Sequence, residues 1–292
     1  MRKEFAILAI GLMLAAAFSG CIGGEKASSV GAVKVEGKNV TIGSIPVKIV
    51  GKNSTGIVFE DVIIDAISEK ITADNRDKPE ARQKTLPEFT FAINISKPES
   101  ISKCEWNFGD GQTGTGLEAK CTFNTPGQYL VKANITAGGM TFEMNITAAV
   151  NYHASGQDSV SGVPCLDQTK TVGDEYWDYL FHVAVGAKKV ILRTLGDPSA
   201  TSPIPTVPTP VATVGGNDIE LGLYSPKGAF IAESDSGNPG TDEKVEVKKV
   251  KEAGNYDAKI GCYDLNPTGA HAHTFTNTGS VAYFFFIDVM YV

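Results

Sequence analysis

The sequence lacks any apolar stretch of the roughly 20 residues that a membrane-spanning helix requires. It has only four histidines, and no H-E-x-x-H, G-x-S-x-G or G-K-[S/T] pattern. The usual metalloprotease, serine-hydrolase and phosphate-loop solutions are therefore excluded. Asp235-Ser236-Gly237 has no second D-[S/T]-G with which to share a proton, so an aspartic-protease pair is excluded and a hairpin turn is the simpler reading. The cysteines show no C-x-x-C spacing, which excludes a zinc cluster. The formal charge is −7 and no basic cluster relieves it, which argues against a nucleic-acid partner.

The N-terminus carries an export signal. Met1-Arg2-Lys3-Glu4 precedes the 14-residue run Phe5 to Phe18, and Ser19-Gly20-Cys21 follows as a lipoprotein-type cleavage box. Residues 1–20 are expected to be the signal, and 21–32 a lipid anchor on Cys21 with a small, polar tether. The expected location is the outer face of the cell membrane. In that oxidising compartment the remaining four cysteines, Cys104, Cys121, Cys165 and Cys262, form an even set. Three pairings are possible. Cys104 with Cys121 and Cys165 with Cys262 are favoured, because each bridge then stays inside one expected domain. Asn39, Asn53, Asn94, Asn134 and Asn145 open N-x-S/T sequons, all in the N-terminal half, and are candidate glycosylation sites.

Residues 33–87 contain short β-branched strands followed by a charged stretch, 68 to 88, expected to be a linker or an exposed helical turn. This segment either stands alone or adds strands to a later domain. From 88 to 150 the alternation is regular. Phe89, Phe91, Ile93 and Ile95 share one face of a strand, as do Cys104, Trp106 and Phe108. Asp110-Gly111 is a hairpin turn signal because both central positions tolerate positive φ, and Pro126-Gly127 marks another turn. Gly109-Asp110-Gly111-Gln112-Thr113-Gly114 matches G-x-G-x-x-G. No helix can follow it before Pro126, so a nucleotide-binding loop is excluded and the glycines serve β-turns.

Trp106-Asn107-Phe108-Gly109-Asp110-Gly111 and Thr125-Pro126-Gly127-Gln128-Tyr129 resemble the two signatures of PKD domains. The resemblance implies an immunoglobulin-like sandwich used as a spacer or contact module, with Trp106 in its core and Asp110 in a turn. In residues 151–292, Trp177-Asp178-Tyr179-Leu180-Phe181, the stretch Asp218 to Gly228, and Ala253-Gly254-Asn255-Tyr256 resemble the pre-peptidase C-terminal (PPC) domain, a jelly-roll-like sandwich. Into it residues 198–216 insert a Pro/Thr-rich loop. The Ser19-to-Gly24 region is similar to archaeal surface lipoproteins. The fold class is thus expected to be all-β, two sandwiches after a lipoprotein signal and a small β-rich segment.

Neither resembled family is catalytic, and no catalytic residues or cofactor are expected. Calcium is the one ion with a candidate set, Asp235, Asp242 and Glu243, which offer hard oxygen donors. His271 and His273 share a face if extended and would be half of a transition-metal site. A solvated loop is the plainer account of both groups. Tyr176, Tyr224, Tyr263 and the 198–216 arm are the candidate contact surface, since exposed aromatics stack on sugars. The function read from the sequence is a non-enzymatic surface lipoprotein that binds envelope polysaccharide or surface protein, with no nucleotide or nucleic acid. The alternative is an accessory subunit tethering a secreted hydrolase or transporter to the membrane surface.

Overall fold

The structure, a computed structural model, describes residues 31–161, 176–196, 219–234, 242–261 and 280–292. Cys21, Cys165, Cys262, Asp235, Tyr263, His271, His273 and the 198–216 arm lie outside them. Within them the strands are β1 (Val33–Glu36), β2 (Asn39–Ile42), β3 (Ile45–Lys52), β4 (Val58–Phe59), β5 (Val62–Ile71), β6 (Lys84–Thr85), β7 (Glu88–Asn94), β8 (Ile101–Asn107), β9 (Thr113–Thr115) and β10 (Glu118–Thr122). They continue with β11 (Gly127–Ala137), β12 (Met140–Ser161), β13 (Tyr176–Val183), β14 (Lys189–Gly196), β15 (Glu220–Tyr224), β16 (Phe230–Ser234), β17 (Lys244–Lys248), β18 (Gly254–Gly261) and β19 (Ser280–Met290). The fold is all-β, as the alternating pattern requires.

Three sheets make two cores. A nine-stranded sheet, with the path β17-β14-β19-β12-β11-β8-β9 and with β5 and β6 attached beside β12, backs both of them. Over one end lies the six-stranded sheet β1-β2-β3-β7-β10 with β4. Its core contains Phe89, Phe91, Trp106, Phe108, Phe123, Val131 and Ile135. The other end is covered by the four-stranded sheet β13-β18-β15-β16, and its core contains Tyr179, Phe181, Leu221, Tyr256, Tyr283 and Phe285. The alternation of Phe89, Phe91 and Ile93, and of Cys104, Trp106 and Phe108, points inward as period two demands. Strand β12 is 22 residues long and runs through both cores, so the boundary expected at 150/151 falls inside a single strand. Residues 33–52 join the first sandwich through β3 against β7, which settles the open question about that segment.

Two expectations are corrected here. At the β8–β9 turn the positive φ values belong to Gly109 (87°) and Gly111 (96°), not to Asp110. The Asp110 carboxylate instead accepts the Gln112 N–H at 3.0 Å, forming an Asx-type turn. Cys104 and Cys121 are free thiols, both buried, so the expected bridge is absent. They sit on strands of opposite sheets and at opposite ends of the β8–β9 hairpin. The Cys104 carbonyl accepts the Gly116 N–H at 3.0 Å, whereas Gln112, at the turn, donates to the carbonyl of Thr122 beside Cys121 at 2.9 Å. Three residues of extended chain, about 10 Å, separate those ends, beyond the roughly 7 Å between Cα atoms that a disulfide tolerates. Burial pushes the thiols up, to about 11 for Cys104 and about 12 for Cys121, which makes both poor nucleophiles.

The segment expected to be a charged linker is a clasp between the cores. Arg82, with a side chain 0% exposed, meets Glu69, 4% exposed, at 3.5 Å. The Tyr152 hydroxyl donates to the same carboxylate at 2.7 Å, and the Arg82 guanidinium also donates to the carbonyls of Asn75, at 3.1 Å, and of Arg76. Six residues before Arg82, Arg76 stacks 3.7 Å over Trp177 and donates to Asp158 at 2.7 Å. Asp158 also accepts the Tyr179 hydroxyl at 2.8 Å. Glu69 and Arg82, read as solvated, are buried because they pair with each other and with Tyr152.

Candidate functional site

The face of the four-stranded sheet turned away from its core is built by register, and part of it is shielded, with Tyr224 9% and Glu220 2% exposed. Asp178 on β13 lies opposite Lys259 on β18, and Lys259 lies opposite Gly222 on β15. Because residues two apart share a face, Tyr176 and Asp178 on β13, Asp257 and Lys259 on β18, and Tyr224 on β15 stand together. Gly222 has no side chain, so Lys259 lies across the sheet unobstructed by its β15 neighbour. Its ammonium is 3.9 Å from the centre of the Tyr176 ring and 5.2 Å from that of Tyr224. It bonds Asp257 at 2.9 Å and Asp178 as well. The Lys259 side chain is only 13% exposed.

The electrostatics are unusual for a sheet surface. Burial works against the Lys259 charge, but the hydrogen bonds to Asp178 and Asp257 outweigh it and hold the ammonium above its ordinary value. Burial pushes Asp257 up to about 6, with Asp178 adding repulsion and Lys259 only partly compensating. One oxygen of Asp257 is buried with no hydrogen-bond partner among the described residues. Burial also raises the Tyr224 hydroxyl. A desolvated ion cluster of this kind adds little to stability compared with apolar packing, and perturbed groups of this kind gather at functional sites.

A stability test follows from Asp257. Its folded pKa lies above the ordinary value of 3.8, so the folded chain binds the proton more tightly than the unfolded one. Its contribution is most favourable below about pH 4 and is lost as pH rises through about 6. Asp257→Asn is therefore expected to raise the melting temperature at about pH 7.5 and to change it little at about pH 3. Equal shifts at both values in thermal melts would rule out this account of Asp257.

The sequence nominated Tyr176 and Tyr224, and the structure brings them together; Lys259, Asp178 and Asp257 were missed. Of the calcium candidates, Asp242 is exposed, while Glu243 is buried, its carboxylate accepts the Ser234 hydroxyl and its backbone N–H donates to the Thr194 hydroxyl oxygen at 3.1 Å. Among the described residues no three acidic, histidine or cysteine side chains gather into a metal site. Of the sequons, Asn39, Asn94, Asn134 and Asn145 are exposed. Asn53 is half-buried: its amide nitrogen donates to the Ile64 carbonyl at 3.1 Å and its oxygen accepts the Ile57 N–H at 3.0 Å.

Residues 73–151 match the PKD domain family. The match contains both signatures and also takes in most of the clasp. Among solved structures, one of carbohydrate-binding modules from the β-sandwich superfamily is similar at 13% identity and a TM-score of 0.27, over 84% of this chain and 91% of that one. A Clostridium perfringens carbohydrate-binding module, solved with its adjoining domains and GlcNAc, is similar at 11% identity and 0.25, over 82% and 48%. Tripeptidyl peptidase 2 is similar at 10% identity and 0.22, over 84% of this chain and 20% of the peptidase. No curated protein matches the sequence.

Proposed function

We propose that this chain is a non-enzymatic surface module that binds envelope polysaccharide through the outer face of its four-stranded sheet. The observation that carries this reading is Lys259, held between the rings of Tyr176 and Tyr224 and between the carboxylates of Asp178 and Asp257. Carboxylates accept from sugar hydroxyls, an ammonium donates to them, and the half-buried ring of Tyr176 receives the apolar face of a pyranose, with the buried Tyr224 backing Lys259. Burying these ions before any ligand arrives fixes their geometry, so that little ordering is left to the binding step. The signal and Cys21 support a lipid anchor that sets this face outside the membrane.

Binding of the full-length protein to a panel of neutral and acidic glycans tests the reading. Lys259→Met and Tyr176→Ala are each expected to weaken the best glycan at least about tenfold, the effect of losing roughly 1.4 kcal/mol, with thermal melts confirming folded protein. Affinity unchanged in both variants would remove this face from recognition. Stoichiometric capture of one secreted enzyme or transporter, with no glycan retained, would favour the accessory-subunit alternative.

A further inference from the structure

The nine-stranded sheet turns one face to both cores and the other to solvent. On the solvent side of β19 stand Phe284 and Phe286, two residues apart and so about 6.8 Å along the strand. Their neighbours Tyr283, Phe285 and Ile287 are fully buried on the opposite side. The two phenylalanines floor an open groove of about 580 Å³. Its walls carry hydroxyl, amide and amine groups from Ser68, Lys70, Gln83, Thr85, Ser155 and Gln157; Glu69 also lines it, with a side chain 4% exposed and paired with Arg82. Next to the floor, Asp288 ties down two side chains, accepting from Arg193 at 3.2 Å and bonding the His153 ring nitrogen at 2.7 Å. The Arg193 guanidinium stands 5.4 Å from the Phe286 ring and remains 46% exposed.

The charge of this face opposes that of the molecule. Register and alternation place Lys70, Lys189, Arg193, Lys244 and Lys248 on it, against Glu246 and Asp288. Five cations against two carboxylates leave a surplus of three on a chain whose formal charge is −7. A second copy of the chain does not fit, since a two-fold interface would set this positive face against itself. A purely apolar partner does not match the polar walls. A carboxylated polysaccharide matches all three features. Its sugar faces lie on the two rings, its hydroxyls meet the serine, threonine and glutamine groups, and its carboxylates meet Arg193 and the lysines.

We propose that this groove is a second binding site, for an acidic polysaccharide strand rich in uronate, separate from the face around Lys259 and not dependent on it. The test is retention of full-length protein on immobilised polygalacturonate. Retention is expected to fall steeply as salt is raised from about 0.01 M to about 1 M, where screening shortens from roughly 30 Å to 3 Å. Phe286→Ser and Arg193→Gln are each expected to weaken it at least about tenfold, and Lys259→Met to leave it unchanged. A paired Lys70→Gln, Lys248→Gln variant, altered only at exposed positions, is expected to lose affinity without loss of melting temperature. No retention, retention insensitive to these substitutions, or stronger retention of duplex DNA or of a sulfated polymer at equal charge would overturn the proposal. Loss of neutral-glycan binding in Lys259→Met with polygalacturonate retention intact would separate the two sites.

Discussion

Arg82→Leu is expected to cost about 3–5 kcal/mol of unfolding free energy, because it strands a buried carboxylate. The Glu69 side chain is 4% exposed, and once the guanidinium is gone it keeps, among the described residues, the Tyr152 hydroxyl at 2.7 Å and Lys84 at 3.3 Å. Lys84 is half in solvent, where its attraction is screened. Arg82 also satisfies the carbonyls of Asn75 and Arg76, and these would be left short of a donor. Urea denaturation reads the loss as a lower midpoint at an unchanged slope. The double variant Arg82→Leu, Glu69→Leu removes both charges and is expected to recover much of the loss, since an apolar pair can replace a buried ion pair at little cost. A single-variant loss below about 1 kcal/mol would show that the clasp is a surface feature after all.

That clasp shows where sequence reasoning runs out. Phe89, Phe91, Trp106 and Phe108 were legible as a core because alternation within one strand is a local signal. The paired signatures around Asp110 and Pro126 were likewise local and matched a known domain. Glu69 and Arg82 were not legible. A charged stretch reads as solvated unless its partner is known, and Tyr152 lies some 70 to 83 positions away in sequence. Lys259 was missed for a related reason, since its meeting with Tyr176 depends on the β13–β18 register. Phe284 and Phe286 were hidden by their neighbours. In the run Tyr283-Phe284-Phe285-Phe286-Ile287 every residue is apolar, which suggests a strand buried on both sides, whereas period two sends alternate rings to solvent. The absent Cys104–Cys121 bridge has the same origin, for spacing in sequence says nothing about position along a hairpin.

The second large effect concerns the strand pair that joins the cores. Gly156 in β12 lies opposite Ile71 of β5 in a parallel register. A Cβ at Gly156 would stand 2.3 Å from the Ile71 carbonyl oxygen and 2.9 Å from its carbon. Those are backbone atoms, so no side-chain rotation relieves the contact; β5 must move or lose ladder hydrogen bonds. Gly156→Ala is expected to cost at least about 3 kcal/mol, at the top of the range for inserting a group into packed structure. Gly37→Ala is the matched control. Gly37 has φ +62° and nothing within 4 Å of an added Cβ, so it pays only the left-handed backbone penalty of about 1–2 kcal/mol. The two variants separate crowding from conformational strain. Because β12 continues into both cores, the Gly156→Ala loss is expected in one cooperative transition, seen alike by fluorescence of Trp106 in the first core and of Trp177 beside the second. If only the Trp177 signal shifted, the two cores would be unfolding independently, and the shared strand would not transmit stability between them.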